Sequence, residues 1–121
     1  MARAESVEIQ IGTIFDEYER LAEDVVEKAA LKTARDAVQK LKNSSPKKSG
    51  EYASGWTSRK QGHGRVVFNR TKPGLTHLLE KGHVIRNKKG TYGRAPAHVH
   101  IAPVANEANQ EFEENIRRGL R

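Results

Sequence analysis

The sequence predicts an α+β domain: a small, mostly antiparallel β-sheet packed by a long N-terminal helix and a C-terminal helix. Three observations carry this. Residues 14–41 and 104–116 place apolar side chains at helical spacing. Before and between them lie short strand-like runs, one of them in strict period-two alternation with β-branched residues. Turn formers separate these runs, and a chain of 121 residues has room for one modest core, so residues 1–121 are read as one domain.

The elements follow in order. Ser6-Val7-Glu8-Ile9-Gln10-Ile11 alternates polar and apolar residues, which predicts a strand with one buried face. Gly12 breaks it. Thr13 stands three residues before Asp16 in a variant of the capping box, so a helix is expected from there. Its apolar positions are Ile14, Phe15, Tyr18, Leu21, Ala22, Val25, Ala29, Ala30, Ala34, Ala37, Val38 and Leu41. Asp16, Glu17, Glu19, Glu23 and Asp24 lie in its N-terminal half and Lys32, Arg35, Lys40 and Lys42 in its C-terminal half, an order that complements the helix dipole. A helix of roughly 28 residues spans about 42 Å. That exceeds what so small a core covers, so part of it is expected to meet something else. Ala29, Ala30, Ala34 and Ala37 admit a close backbone, either the protein's own sheet or a neighbouring subunit.

Turn formers over 43–50, ending in Gly50, stop the helix. Residues 52–60 and 65–70 read as two strands joined by Gln61-Gly62-His63-Gly64, with Trp56, Val66 and Phe68 inward. Pro73-Gly74 opens a short helix through Leu75, Leu78 and Leu79, and Gly82 is placed as its left-handed cap. Residues 86–97 read as a loop, because Lys88, Lys89, Gly90, Gly93 and Arg94 leave it little to bury. Residues 98–101 read as a short strand. Pro103 suits the first turn of a last helix, with Val104, Ala105, Ala108, Phe112 and Ile116 on one face.

With 36% hydrophobic and 31% charged residues the chain is polar but not disordered in composition. It has no cysteine, which excludes disulfides, zinc–thiolate sites and a thiol nucleophile. No apolar run approaches membrane-spanning length, so no membrane partner is expected. Met1-Ala2-Arg3-Ala4 is not followed by an apolar signal core, and the cytoplasm is the expected place of synthesis and residence. The net charge of +7 is uneven: −5 over residues 1–30, +13 over 31–100 and −1 over 101–121. A basic middle between acidic ends reads either as a nucleic-acid footprint or as complementary faces that attract between subunits.

The stretch with the densest chemistry is Leu78-Leu79-Glu80-Lys81-Gly82-His83, followed by Ala97-His98-Val99-His100-Ile101-Ala102-Pro103. His98 and His100, two apart on a strand, would share a face and could pair as metal ligands with His83. Glu80 is the only carboxylate between Glu51 and Glu107, and the surrounding Lys and Arg would repel a cation, so no metal site and no cofactor are expected. There is no Gly-x-Ser-x-Gly elbow and no phosphate loop. Arg59, Arg65, His83, Arg86 and His98 could serve a small toxin-like ribonuclease, and Tyr52, Trp56 and Tyr92 could stack on bases in a basic nucleic-acid-binding protein. No catalytic residue is assigned.

Three segments together resemble the siphophage tail-completion, or head–tail joining, family typified by the tenth gene product of a lambdoid phage. A Pro-x-x-Thr/Ser-Gly-x-Leu turn after the long helix is matched by Pro46-Lys47-Lys48-Ser49-Gly50-Glu51-Tyr52, with Tyr for the aliphatic residue. A Leu-x-Glu-x-Gly-His helix end is matched by Leu78 to His83, and a proline-marked approach to the last helix by Ala97 to Pro103. The resemblance implies a non-catalytic virion protein at the head–tail junction, forming a homo-oligomeric, often hexameric, ring between phage connector and tail-tube proteins, with DNA close by. The opposite charges of the long helix and the basic middle favour head-to-tail contact between subunits. Candidate interface residues are therefore Arg86, Lys88, Lys89, Tyr92 and Arg94 on the basic loop and Glu19 and Glu23 on the helix. The loop is expected to order against a neighbour on assembly. Gly50, Gly82 and Pro103 are the expected turn and cap positions.

Overall fold

The structure, a computed structural model, describes residues 7–12, 23–47, 50–87 and 90–120, with backbone alone over 83–87 and 90–95. The fold is α+β, as its sequence predicts. Its elements are β1 (Ile9–Ile11), α1 (Glu23–Ser44), α2 (Glu51–Ser54), β2 (Trp56–Gln61), β3 (Gly64–Asn69), α3 (Leu75–Lys81), β4 (His83–Asn87), β5 (Gly90–Ala95) and α4 (Ile101–Gly119). The stretch 13–22, where the long helix was expected to begin, lies outside the described residues.

β1, β3 and β2 form an antiparallel sheet in that order, with Ile9 opposite Val67 and Trp56 opposite Asn69. This register puts Ile9, Ile11, Val67 and Trp56 on one face, where they join Ala30, Ala34, Ala37 and Leu41 of α1 in the core. The alanines pack within the protein itself, and their small side chains let α1 lie close to both the sheet and α4. α4 runs antiparallel to α1: Gly119 lies against Val25, Asn115 Nδ2 donates to Thr33 Oγ1 at 3.1 Å, and Lys40 pairs with Glu107 at 2.8 Å. Val104 and Ala108 are buried and Phe112 packs against the core, which is the helical face expected for them. No described helix is long and apolar enough to cross a membrane.

Four local expectations are corrected. Residues 52–55 form a helical turn rather than a strand, because Gly50 (φ 81°, ψ −17°) reverses the chain and lets Tyr52 and Ala53 drop into the core. Trp56 and Val66 do not share a face; β3 is the central strand and buries Val66 and Phe68 on one side and Val67 on the other. Residues 86–97 are not a loop. Most of them belong to a hairpin in which β4 pairs with β5, with a bulge between Ile85 and Arg86. Backbone pairing needs no buried face, and Val84-Ile85 and Thr91-Tyr92 are strand formers. Finally, 98–101 is not a strand: α4 already begins at Ile101.

Candidate functional site

The two motifs richest in chemistry meet in space. α3 ends at Lys81, the β4–β5 hairpin departs, and the chain returns as α4, so the hairpin leaves and re-enters the body at one place. That base is fastened by Glu80. One oxygen of its carboxylate accepts the backbone N–H groups of His100 and Ile101, and the other accepts that of Ala102, all at 2.9 Å. A helix leaves four N-terminal amide groups without internal partners. Here three are satisfied by one carboxylate, and the fourth position is Pro103, which has no N–H. The negative charge also sits at the positive end of the α4 dipole. Burial tends to raise the Glu80 carboxyl, but the three amides and the His100 ring outweigh it and hold it below the ordinary carboxylate range. His98 N–H donates to Leu79 O at 2.6 Å and closes the same junction from the other side.

His100 is 2% exposed and sits between Glu80 and Tyr52. Its Nδ1 lies 2.6 Å from His98 O and 3.1 Å from Glu80 Oε1, and its Nε2 lies 2.7 Å from Tyr52 Oη. The partners assign the tautomer: Nδ1 carries the proton toward the two oxygens, and Nε2 accepts the tyrosine O–H. Burial, reinforced by the charges of Glu8 and Glu80, pushes the Tyr52 hydroxyl well above its ordinary value, so it keeps the proton it donates. Trp56 stands edge-on to both rings, and its indole N–H donates to Ser45 Oγ at 2.8 Å, just past the end of α1. Asn69 Nδ2 donates to Tyr52 O at 2.7 Å. The cluster thus ties α1, α2, β2, β3, α3 and α4 to one buried point, a clamp beneath the hairpin rather than a cavity open to a substrate.

The predicted site residues fall as follows. Arg86 is on β4 and Tyr92 and Arg94 on β5, with Arg94 opposite Val84 and Arg86 opposite Thr91. Lys88, Lys89 and Glu19 lie outside the described residues. Glu23 opens α1 and is exposed, with Oε1 3.8 Å from His63 Nε2. Gly50 holds the left-handed conformation before α2. Gly82 has positive φ (75°) but extended ψ (173°), so instead of a left-handed cap it turns α3 directly into β4. Pro103 is in the first turn of α4, where it was expected.

Among the candidate nucleolytic residues with described side chains, Arg59, Arg65 and His98 do not converge. Arg59 and Arg65 leave opposite faces of the sheet, Arg59 over the Phe68 ring at 5.9 Å and Arg65 bonded to Ser58. His98 Nε2 lies instead 3.3 Å from Ser44 O at the end of α1. Among the described residues no three His, Cys, Asp or Glu side chains are grouped to hold a metal ion. Sequence reasoning missed the role of Glu80. The signal was present: a lone carboxylate in a long basic stretch, followed by a proline that removes one of the four amides a helix start must satisfy.

The family model described as "Bacteriophage HK97-gp10, putative tail-component" matches residues 10–82. That span runs from β1 through the Glu80-Lys81-Gly82 end of α3. No curated protein and no solved structure matches the chain.

Proposed function

This chain belongs to the HK97-gp10-like family of bacteriophage tail components, and from that membership we propose that it joins the capsid connector to the tail as a closed homo-oligomeric ring. The observation that carries this reading is the β4–β5 hairpin. It pairs with itself in a sheet separate from the main one, and it is anchored at its base by the Glu80 clamp. Between Glu80 and Glu107 the chain carries Lys81, Arg86, Lys88, Lys89 and Arg94 and no acid. A fastened, basic arm is suited to reach an acidic face on a neighbouring subunit or on a connector or tail-tube protein. Glu23, exposed at the acidic start of α1, offers such a face on the next copy. Head-to-tail contacts of this kind close into rings when the rotation allows, and a hexamer is the number the family resemblance implies.

The role is structural. The most polar buried group, Glu80–His100–Tyr52, is occupied in holding elements together, with His100 2% and Tyr52 5% exposed. In the virion the protein belongs at the head–tail junction, with DNA passing near its basic residues. Light scattering across a concentration series, with and without the tail-tube protein, tests the proposal. It requires a discrete closed oligomer in at least one of these conditions.

A further inference from the structure

A groove of about 450 Å³ lies between α1 and β2, lined among others by Leu31, Arg35, Val38, Lys42, Trp56 and Arg65. β2 is an edge strand, and among the described residues no strand pairs with its outer edge. Arg65 Nη2 donates to Ser58 Oγ at 3.1 Å, but its Nε is buried and has no acceptor among the described residues. Arg35 and Lys42 likewise have no acidic partner among the described residues, whereas Lys32, Lys40, Lys60 and Lys72 each pair with a carboxylate. Three cations without an acidic partner among the described residues, set beside Leu31, Val38 and Trp56, call for an anionic group carried on a surface that also makes apolar contact. That chemistry suits an acidic protein segment better than a bare phosphate backbone.

The chain carries such a group on the same helix face. At 100° per residue, Asp24, Leu31, Arg35, Val38 and Lys42 fall on one stripe of α1. Asp24 stands at the acidic end with no partner among the described residues, while Glu27 beside it is taken by His63 and Lys60. Asp24 cannot reach its own groove, because Arg35 and Lys42 lie about 16 to 27 Å further along the axis. We infer that the groove between α1 and β2 is a docking site for a second copy of this chain, which seats the Asp24 end of its α1 against Arg35, Lys42 and Arg65. This deepens the oligomeric reading above by naming one contact, and it rests on that reading only for the symmetry of the assembly.

The absence of cysteine makes the test direct. Asp24→Cys and Lys42→Cys are prepared separately, shown to melt like the wild type, mixed, and treated with a short bismaleimide. The expected result is a covalent dimer formed by the mixed pair several-fold more than by either variant alone. A cross-linked assembly with the mass of a ring supports both this contact and the ring. A cross-linked pair whose native mass stays at two chains, with and without the tail-tube protein, supports the contact and overturns the ring. A discrete oligomer without the mixed cross-link overturns the contact and leaves the ring standing. As a second arm, duplex DNA is titrated against Arg35→Glu/Lys42→Glu. DNA binding that this variant loses, with no mixed cross-link in the first arm, reassigns the groove to nucleic acid and overturns the inference.

Discussion

The Glu80 carboxylate accepts the backbone N–H of Ile101 at 2.9 Å, across 21 residues of sequence and the whole β4–β5 hairpin. With the bonds to His100 and Ala102 it makes one side chain both the cap of α4 and the pin at the base of the arm. Glu80→Ala leaves the part-buried amides of His100 and Ile101 and the exposed one of Ala102 without their acceptor, and is expected to cost about 2–3 kcal/mol. Urea denaturation measures it. Because the folded-state pKa of Glu80 lies below its unfolded value, its contribution is present above the unfolded pKa and is lost as pH falls through the folded one. Glu80→Gln should therefore be less stable than wild type at pH 7, and the gap should narrow on acidification.

Tyr52 and His100 bond at 2.7 Å in a site closed to water. Tyr52→Phe removes the donor and leaves His100 Nε2 buried and unsatisfied, a change expected to cost about 1–2 kcal/mol. The substitution keeps the ring that stands edge-on to Trp56, so near-ultraviolet circular dichroism should retain its shape while the melting temperature falls.

Asp36 and Glu111 face each other across the α1–α4 contact. The hydrogen bond from Lys32 lowers the Asp36 carboxyl, against burial and with help from Glu111. Burial and the Asp36 charge raise that of Glu111, whose Oε2 is buried with no donor among the described residues. One proton shared by the pair satisfies both groups. A raised folded-state pKa at Glu111 gives stability that is full below the unfolded pKa and is lost as pH rises through the folded value. Glu111→Gln supplies a permanent donor to Asp36. It should stabilise the protein by about 1 kcal/mol at pH 7 and by little near pH 4, as denaturation midpoints at the two values will show.

The hairpin forms a sheet of its own, so its charge is separable from the stability of the body. Arg86→Glu with Arg94→Glu should leave the melting temperature within a few degrees of wild type, the range of changes remote from a core. The same variant should fail to assemble with its partners in a sedimentation assay. Unchanged assembly would remove the arm from the interface.

Periodicity made the helices and the main strands legible. Val104, Ala108 and Phe112 sit where a 3.6-residue repeat puts them, and Ile9 and Ile11 where a two-residue repeat does. What periodicity could not reach was decided by partners distant in sequence. The strand expected from Tyr52 became a helical turn, because Tyr52 binds His100 forty-eight residues away. The 86–97 loop became mostly hairpin, because backbone pairing stabilises a segment that buries little. The histidines drew attention as ligands, yet His98 and His100 are positioned by backbone carbonyls and by Glu80 and Tyr52. Pairing of Glu80 with the start of α4 is a tertiary relation that no local spacing encodes.

The central claim is that this tail-component chain acts as an assembled ring at the head–tail junction. The most direct measurement is its mass in solution by light scattering, alone and after addition of the phage tail-tube protein. The account predicts a single closed multiple of the 13.5 kDa chain, present from the start or formed on addition of the partner. A monomer that persists in both conditions, at every concentration tried, would contradict it.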